Sequence, residues 1–117
     1  MIRIYGIRNC DTIKKTLAWF AGQPVDIDFI DYKKTPPNEP LLRTWLTQLD
    51  WEQLVNKRGT TWRKLPQDLR DTLTEEGAIK QMIDNPSLIK RPLVDHDGTV
   101  SVGYDEPHFA HLVAQAR

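Results

Sequence analysis

Ile2-Arg3-Ile4-Tyr5-Gly6-Ile7-Arg8-Asn9-Cys10, continued by Asp11-Thr12-Ile13-Lys14-Lys15-Thr16-Leu17-Ala18-Trp19-Phe20, is the stretch around which the chain is organised. Ile2 and Ile4 alternate about Arg3, the period of a half-buried strand. Ile13, Leu17 and Phe20 fall at i, i+4, i+7, one face of a helix. A glycine-containing loop joins the two and delivers Cys10 to the helix start. The first turn of a helix carries unpaired N–H groups and a partial positive charge. Both favour a thiolate over a thiol, and the thiolate is the nucleophile. Lys14 and Lys15 add positive charge one turn in, while Asp11 opposes it. On the residue alone, Cys10 reads as a small buried hydrophobe as readily as a reactive thiol. It is the single cysteine of 117 residues, so no internal disulfide and no cysteine-rich zinc site can form. Redox work at Cys10 therefore needs a partner thiol from another molecule.

Working outward, Gly22 and Pro24 stop the first helix. Val25, Ile27 and Phe29 alternate with Asp26 and Asp28 in a second strand. Strand, helix and strand in about thirty residues make a βαβ unit, whose right-handed crossover leaves its strands parallel. After Pro36-Pro37 a helix buries Leu41, Leu42, Trp45, Leu46 and Leu49. Residues 51–84 read as short helical pieces. Leu65, Leu69 and Leu73 mark one that starts through Pro66. Thr74 caps another, with Glu75 and Glu76 in its first turn, where the dipole favours them. No strand signal occurs in this block. Pro92-Leu93-Val94-Asp95 and Thr99-Val100-Ser101-Val102 then flank an Asp97-Gly98 turn, a hairpin signal. Asp105 caps a last helix, with Pro107 in its first turn and Phe109, Leu112, Val113 and Ala116 as its apolar stripe. The expected architecture is one α/β domain over residues 1–117. Its four-stranded mixed sheet has strands near 2–5, 26–30, 92–95 and 99–102, and a helical insert occupies about 36–90 between the second and third.

Composition narrows the function. Hydrophobic residues make up 39% and charged residues 27%, the balance of a soluble globular chain. No apolar run approaches the roughly 20 residues of a membrane helix. Net charge is zero, which gives no electrostatic case for direct nucleic acid binding. The N-terminal stretch, with Arg3 and Arg8, reads as a strand rather than a signal peptide. The expected compartment is the cytoplasm, where a lone thiol stays reduced.

The order β-α-β, helical insert, β-β-α is the thioredoxin-like layout. Within it, Cys10 followed by Lys14, the loop Asn56-Lys57-Arg58, the run Asn85-Pro86-Ser87-Leu88-Ile89-Lys90-Arg91-Pro92-Leu93-Val94, and Gly103-Tyr104-Asp105-Glu106 together resemble the arsenate reductase-like (ArsC/Spx) family, closest to its YffB branch. The resemblance covers nearly the whole chain. It implies a thioredoxin-like fold with Cys10 as nucleophile and Arg91 as an anion-binding arginine. It also implies that Pro92 is the cis proline facing the cysteine, that Arg58 lies in a loop supplying a second arginine, and that Lys14 is a basic residue of the active-site helix. Two departures stand out. Arsenate reductases carry a third arginine where Gly103 aligns, and many Spx-type regulators carry Cys-X-X-Cys where this chain has Ile13.

Without the resemblance, Arg58 and Arg91 read as surface arginines, and Pro92 as the start of an edge strand. His108 and His111 lack further ligands and read as surface residues rather than a metal site. Trp19, Trp45, Trp51 and Trp62 read as packing residues, and Asp26, Asp28 and Asp31 as a solvated strand edge. With it, the expected activity is a glutathione-dependent thiol reductase. Glutathione is its co-substrate, no cofactor is bound, and glutaredoxin is a candidate partner. The alternatives are an Spx-like regulator acting through RNA polymerase, with the helical insert as its contact surface, and an arsenate reductase.

Overall fold

The computed structural model describes residues 1–116. The chain forms two compact units, one from Met1–Thr35 with the segment from Arg91 onward, the other from Pro36–Lys90.

The first unit holds the sheet. Its strands are β1 (Ile2–Gly6), β2 (Ile27–Asp31), β3 (Leu93–His96) and β4 (Thr99–Val102), in spatial order β2-β1-β3-β4. β1 runs parallel to β2 and antiparallel to β3, and β3 pairs antiparallel with β4. The expected mixed sheet is present, with β2 and β3 each one residue later than the pattern indicated. Pro92 has no N–H to give a ladder, and β3 starts after it. The hairpin turns at Asp97 (φ 52°) and Gly98 (φ 92°), both in the left-handed region that an Asp-Gly turn requires. The Asp95 carboxylate accepts from the Gly98 N–H at 2.8 Å and braces the turn.

Two helices, α1 (Asp11–Ala21) and α2 (Glu106–Ala116), complete this unit. Ile2 and Ile4 of β1 bury one sheet face with Phe20 of α1, Val94 of β3, and Phe109, Leu112 and Val113 of α2. The rings of Phe20 and Phe109 lie 5.0 Å apart, and Trp19 meets both at 4.9 and 5.6 Å. Leu17, expected on the buried face of α1, is half-buried, while Thr16 is fully buried. The Thr16 hydroxyl donates to the Thr12 carbonyl at 2.7 Å, which satisfies a polar group inside the core.

The second unit is helical: α3 (Glu39–Leu46), α4 (Trp51–Leu54), α5 (Thr60–Lys64), α6 (Gln67–Asp71), α7 (Glu75–Asp84) and a 3-10 turn at Pro86–Leu88. Its core is Leu42, Trp45, Leu54, Ala78, Ile79, Met82, Leu88 and Ile89. Caps set the breaks between the pieces. The Asn38 side chain accepts from Leu41 N–H at 3.0 Å, and Thr74 from Gly77 N–H at 3.3 Å. Arg43 joins α3 to α7 through a two-pronged contact with Glu76 at 2.8 and 3.0 Å. The sequence showed no strand in this block, yet Val55 and Ile89 form an antiparallel bridge. Asn56 N–H donates to the Leu88 carbonyl at 2.8 Å and Lys90 N–H to the Leu54 carbonyl at 2.7 Å. One rung between two β-branched residues is too short to leave a periodic signal. Among the described residues, no helix is long and apolar enough to cross a membrane.

Candidate functional site

Cys10 is the N-cap of α1, with extended backbone at φ −151° and ψ 127°. Its carbonyl accepts the first helical bond, from Lys14 N–H at 2.9 Å. The side chain occupies the place where Ser, Thr, Asp or Asn usually satisfies the open N–H groups. Here sulfur stands in that place and makes no side-chain capping hydrogen bond. Partial burial alone pushes the thiol up, but the N–H of Ile13, the Arg91 guanidinium and the N–H of Thr12 favour the charged form. The net effect holds Cys10 below its ordinary value. The residue is neither sealed in the core nor fully open.

The sheet brings Arg91 to this cysteine. Tyr5 of β1 pairs with Leu93 of β3, so the residues preceding Leu93 run past the Gly6 end of β1. Arg91 is half-buried there, and the Arg91–Pro92 peptide bond is cis. Pro92 is buried, and its carbonyl accepts from Gly103 N–H at 2.9 Å. Gly103 has φ 97°, a left-handed conformation in which an arginine would be strained.

Gly6 makes room for this arrangement. A Cβ built on it would collide with the Ile13 Cδ1 methyl and lie 2.8 Å from Ile13 Cγ1 and 3.9 Å from Arg91 Cδ. Ile13 also provides one of the N–H groups that favour the thiolate. Gly6→Ala is therefore expected to destabilise the protein by about 1–3 kcal/mol, the usual cost of overpacking, and to shift Cys10 reactivity in the same variant. Urea unfolding and alkylation kinetics check the two effects. An unchanged unfolding midpoint would show that Ile13 yields without cost.

The other expected site residues fall as follows. The Lys14 side chain is exposed one turn into α1. Arg58 belongs to the helical unit, exposed on the loop between α4 and α5, with its N–H bonded to Asn56 Oδ1 at 3.2 Å. Its neighbour Lys57 lies 5.3 Å from the Trp51 ring and 5.6 Å from the Trp62 ring, with Glu52 at 3.1 Å. Two residues escaped the sequence reading. Arg8, two positions before Cys10, lies over the Phe29 ring at 4.9 Å. Tyr32, just past β2, is 2% exposed and stacks on Tyr5 at 6.3 Å.

The profile of the ArsC family matches residues 5–112. The chain belongs to the ArsC family. It is 39% identical over 109 residues to an uncharacterised Haemophilus influenzae protein, covering 93% of this chain and 96% of that one. The solved structure of the YFFB protein superposes with a TM-score of 0.91 at 36% identity, over 97% of this chain and 99% of the other. A Streptococcus pyogenes protein named global transcriptional regulator Spx is 25% identical over 91% of this chain and 80% of its own length. The fold is thioredoxin-like, and the chain is arsenate reductase-like in its family relations. Cys10 and Arg91 both lie inside the matched span, as do Arg58 and Gly103.

Proposed function

We propose that this protein is a glutathione-dependent thiol reductase with Cys10 as its only protein nucleophile. One observation carries the reading: a partly accessible cysteine stands at the N-terminus of α1, where the helix N–H groups and Arg91 favour its thiolate, in a chain with no second cysteine. The Cys10 thiolate attacks one sulfur of a disulfide, the S–S bond breaks, and the leaving thiolate departs with the electron pair. Cys10 is left in a mixed disulfide. A glutathione thiolate then attacks that bond, restores the Cys10 thiolate and leaves as part of an oxidised product. Arg91 and Lys14 would supply cationic contacts for the carboxylates of the tripeptide, and glutaredoxin is a candidate partner for the resolving step. The proposed compartment is the cytoplasm.

The test is intact-mass spectrometry after oxidised glutathione. One adduct, removed by excess reduced glutathione, is expected. A Cys10 that reacts with neutral alkylating reagents yet takes no glutathione would overturn the reading. Arsenate reduction is the weaker alternative, because the backbone at Gly103 disfavours the third arginine that the family resemblance assigns to that position. The relatives named Spx favour the other alternative, a regulator working through RNA polymerase. Stoichiometric recovery of polymerase in a lysate pulldown would mark that role.

A further inference from the structure

Arg8 stands in the loop that delivers Cys10, and its side chain is exposed. The Cys10 N–H donates to the Arg8 carbonyl at 3.0 Å, so the two residues share one tight turn. The guanidinium lies over the half-buried Phe29 ring at 4.9 Å. The carboxylates of β2 are engaged elsewhere: Asp28 lies 4.0 Å from Arg3, and Asp31 accepts from the Lys33 N–H at 3.0 Å. Phe29 is itself anchored, paired with Ile4 across β1 and β2 and packed against the core. A ring attracts a cation through its face and leaves the N–H donors at the guanidinium edge for a planar acceptor. An arginine already resting on a fixed ring has less rotamer freedom to lose on binding. Arg91 passes Gly6 from the β3 side of β1, while Phe29 belongs to β2 on the other side. Cys10 thus has an arginine toward each of the strands that flank β1.

We propose that Arg8 is a specificity-determining residue of the Cys10 site, taking a carboxylate of the disulfide substrate on the β2 side while Arg91 serves the β3 side. This rests on the thiol-exchange reading of Cys10 and names the substrate class: disulfides that carry carboxylates on both sides of the sulfur. Glutathione belongs to that class, since the tripeptide has a carboxylate at each end and its thiol between them. Lys14, exposed one turn into α1, adds a point charge but no planar fork. An uncharged disulfide lacks the group that Arg8 reads, and so depends on Cys10 and its activation alone.

The test compares exchange rates of wild type and Arg8→Gln with oxidised glutathione, with the dithiobis-nitrobenzoate reagent (an aromatic disulfide dicarboxylate), and with uncharged hydroxyethyl disulfide. Arg8→Gln should slow exchange with both carboxylate disulfides about fivefold or more. Exchange with the uncharged disulfide, and iodoacetamide labelling of Cys10, should stay as in wild type. Part of the loss should persist in about 1 M salt, where screening confines fields to about 3 Å. A loss that disappears entirely in salt would make Arg8 a diffuse charge and overturn the proposal. Equal slowing of all the disulfides would overturn it too, since Arg8 would then act on the thiol or the loop. So would unchanged rates throughout. If wild type exchanges with the nitrobenzoate reagent and not with glutathione, the glutathione reading falls. The role of Arg8 then stands if Arg8→Gln still slows the carboxylate reagent alone, and falls with that reading if it does not.

Discussion

Iodoacetamide is expected to label native Cys10 along a curve whose midpoint lies below that of the same thiol in the unfolded chain, and Cys10→Ser to abolish all labelling. Burial works against this, because a half-sheltered thiolate loses water. The N–H groups of Ile13 and Thr12 and the Arg91 guanidinium outweigh it, since all three favour the charged form. The same depression has a consequence for stability. The folded thiol ionises at lower pH than the unfolded one, so the unfolded chain binds more protons between the two values. The stabilisation is fully present above the unfolded value and disappears as pH falls through the folded value. Urea unfolding of wild type and Cys10→Ser should therefore diverge in alkaline solution and converge in acid. A flat difference across pH, or a thiol that resists labelling in the native protein, would mean a structural cysteine and would end the reductase reading.

The fold was legible where the signal was local. The alternation in β1, the helical spacing of Ile13 and Phe20, and the Asp97-Gly98 pair each occupy a few adjacent residues. Each places its element to within a residue. The position of Cys10 at the start of α1 follows from the same reading. What escaped is long-range. Tyr32 sits in a polar turn, and nothing near it in the chain announces a 2% exposed phenol. It stacks on the Tyr5 ring of the neighbouring strand. Arg8 lies over the Phe29 ring of β2, a contact that nothing near it in the chain announces. The Val55–Ile89 bridge joins two segments that are helical on their outer sides. Arg91 is the instructive intermediate case. No local pattern pairs it with Cys10; only the family resemblance set Pro92 opposite the cysteine and made Arg91 an anion-binding arginine, and the β1–β3 register, which the sequence did not give, is what carries Arg91 past the Gly6 end of β1.

Replacing Arg91 should produce the second large effect. It is half-buried and its guanidinium favours the Cys10 thiolate. A hydrogen bond to a charged group is worth about 1.5–3 kcal/mol, equivalent to roughly one to two decades in an equilibrium constant. Arg91→Met keeps much of the aliphatic stem beside Gly6 and removes the charge. Cys10 should then titrate higher, since burial opposes the two remaining N–H groups with no cation to help them. Labelling near neutral pH should slow about tenfold or more. Arg91→Lys separates charge from geometry. An ammonium restores a positive charge but not the planar fork that holds a carboxylate in two places. The lysine variant should therefore recover part of the labelling rate while glutathione binding, followed by calorimetry, stays weakened about tenfold. Full recovery of both would reduce Arg91 to a point charge. If labelling in Arg91→Met matches wild type, the helix N–H groups alone activate Cys10, and the arginine serves the anionic ligand rather than the sulfur.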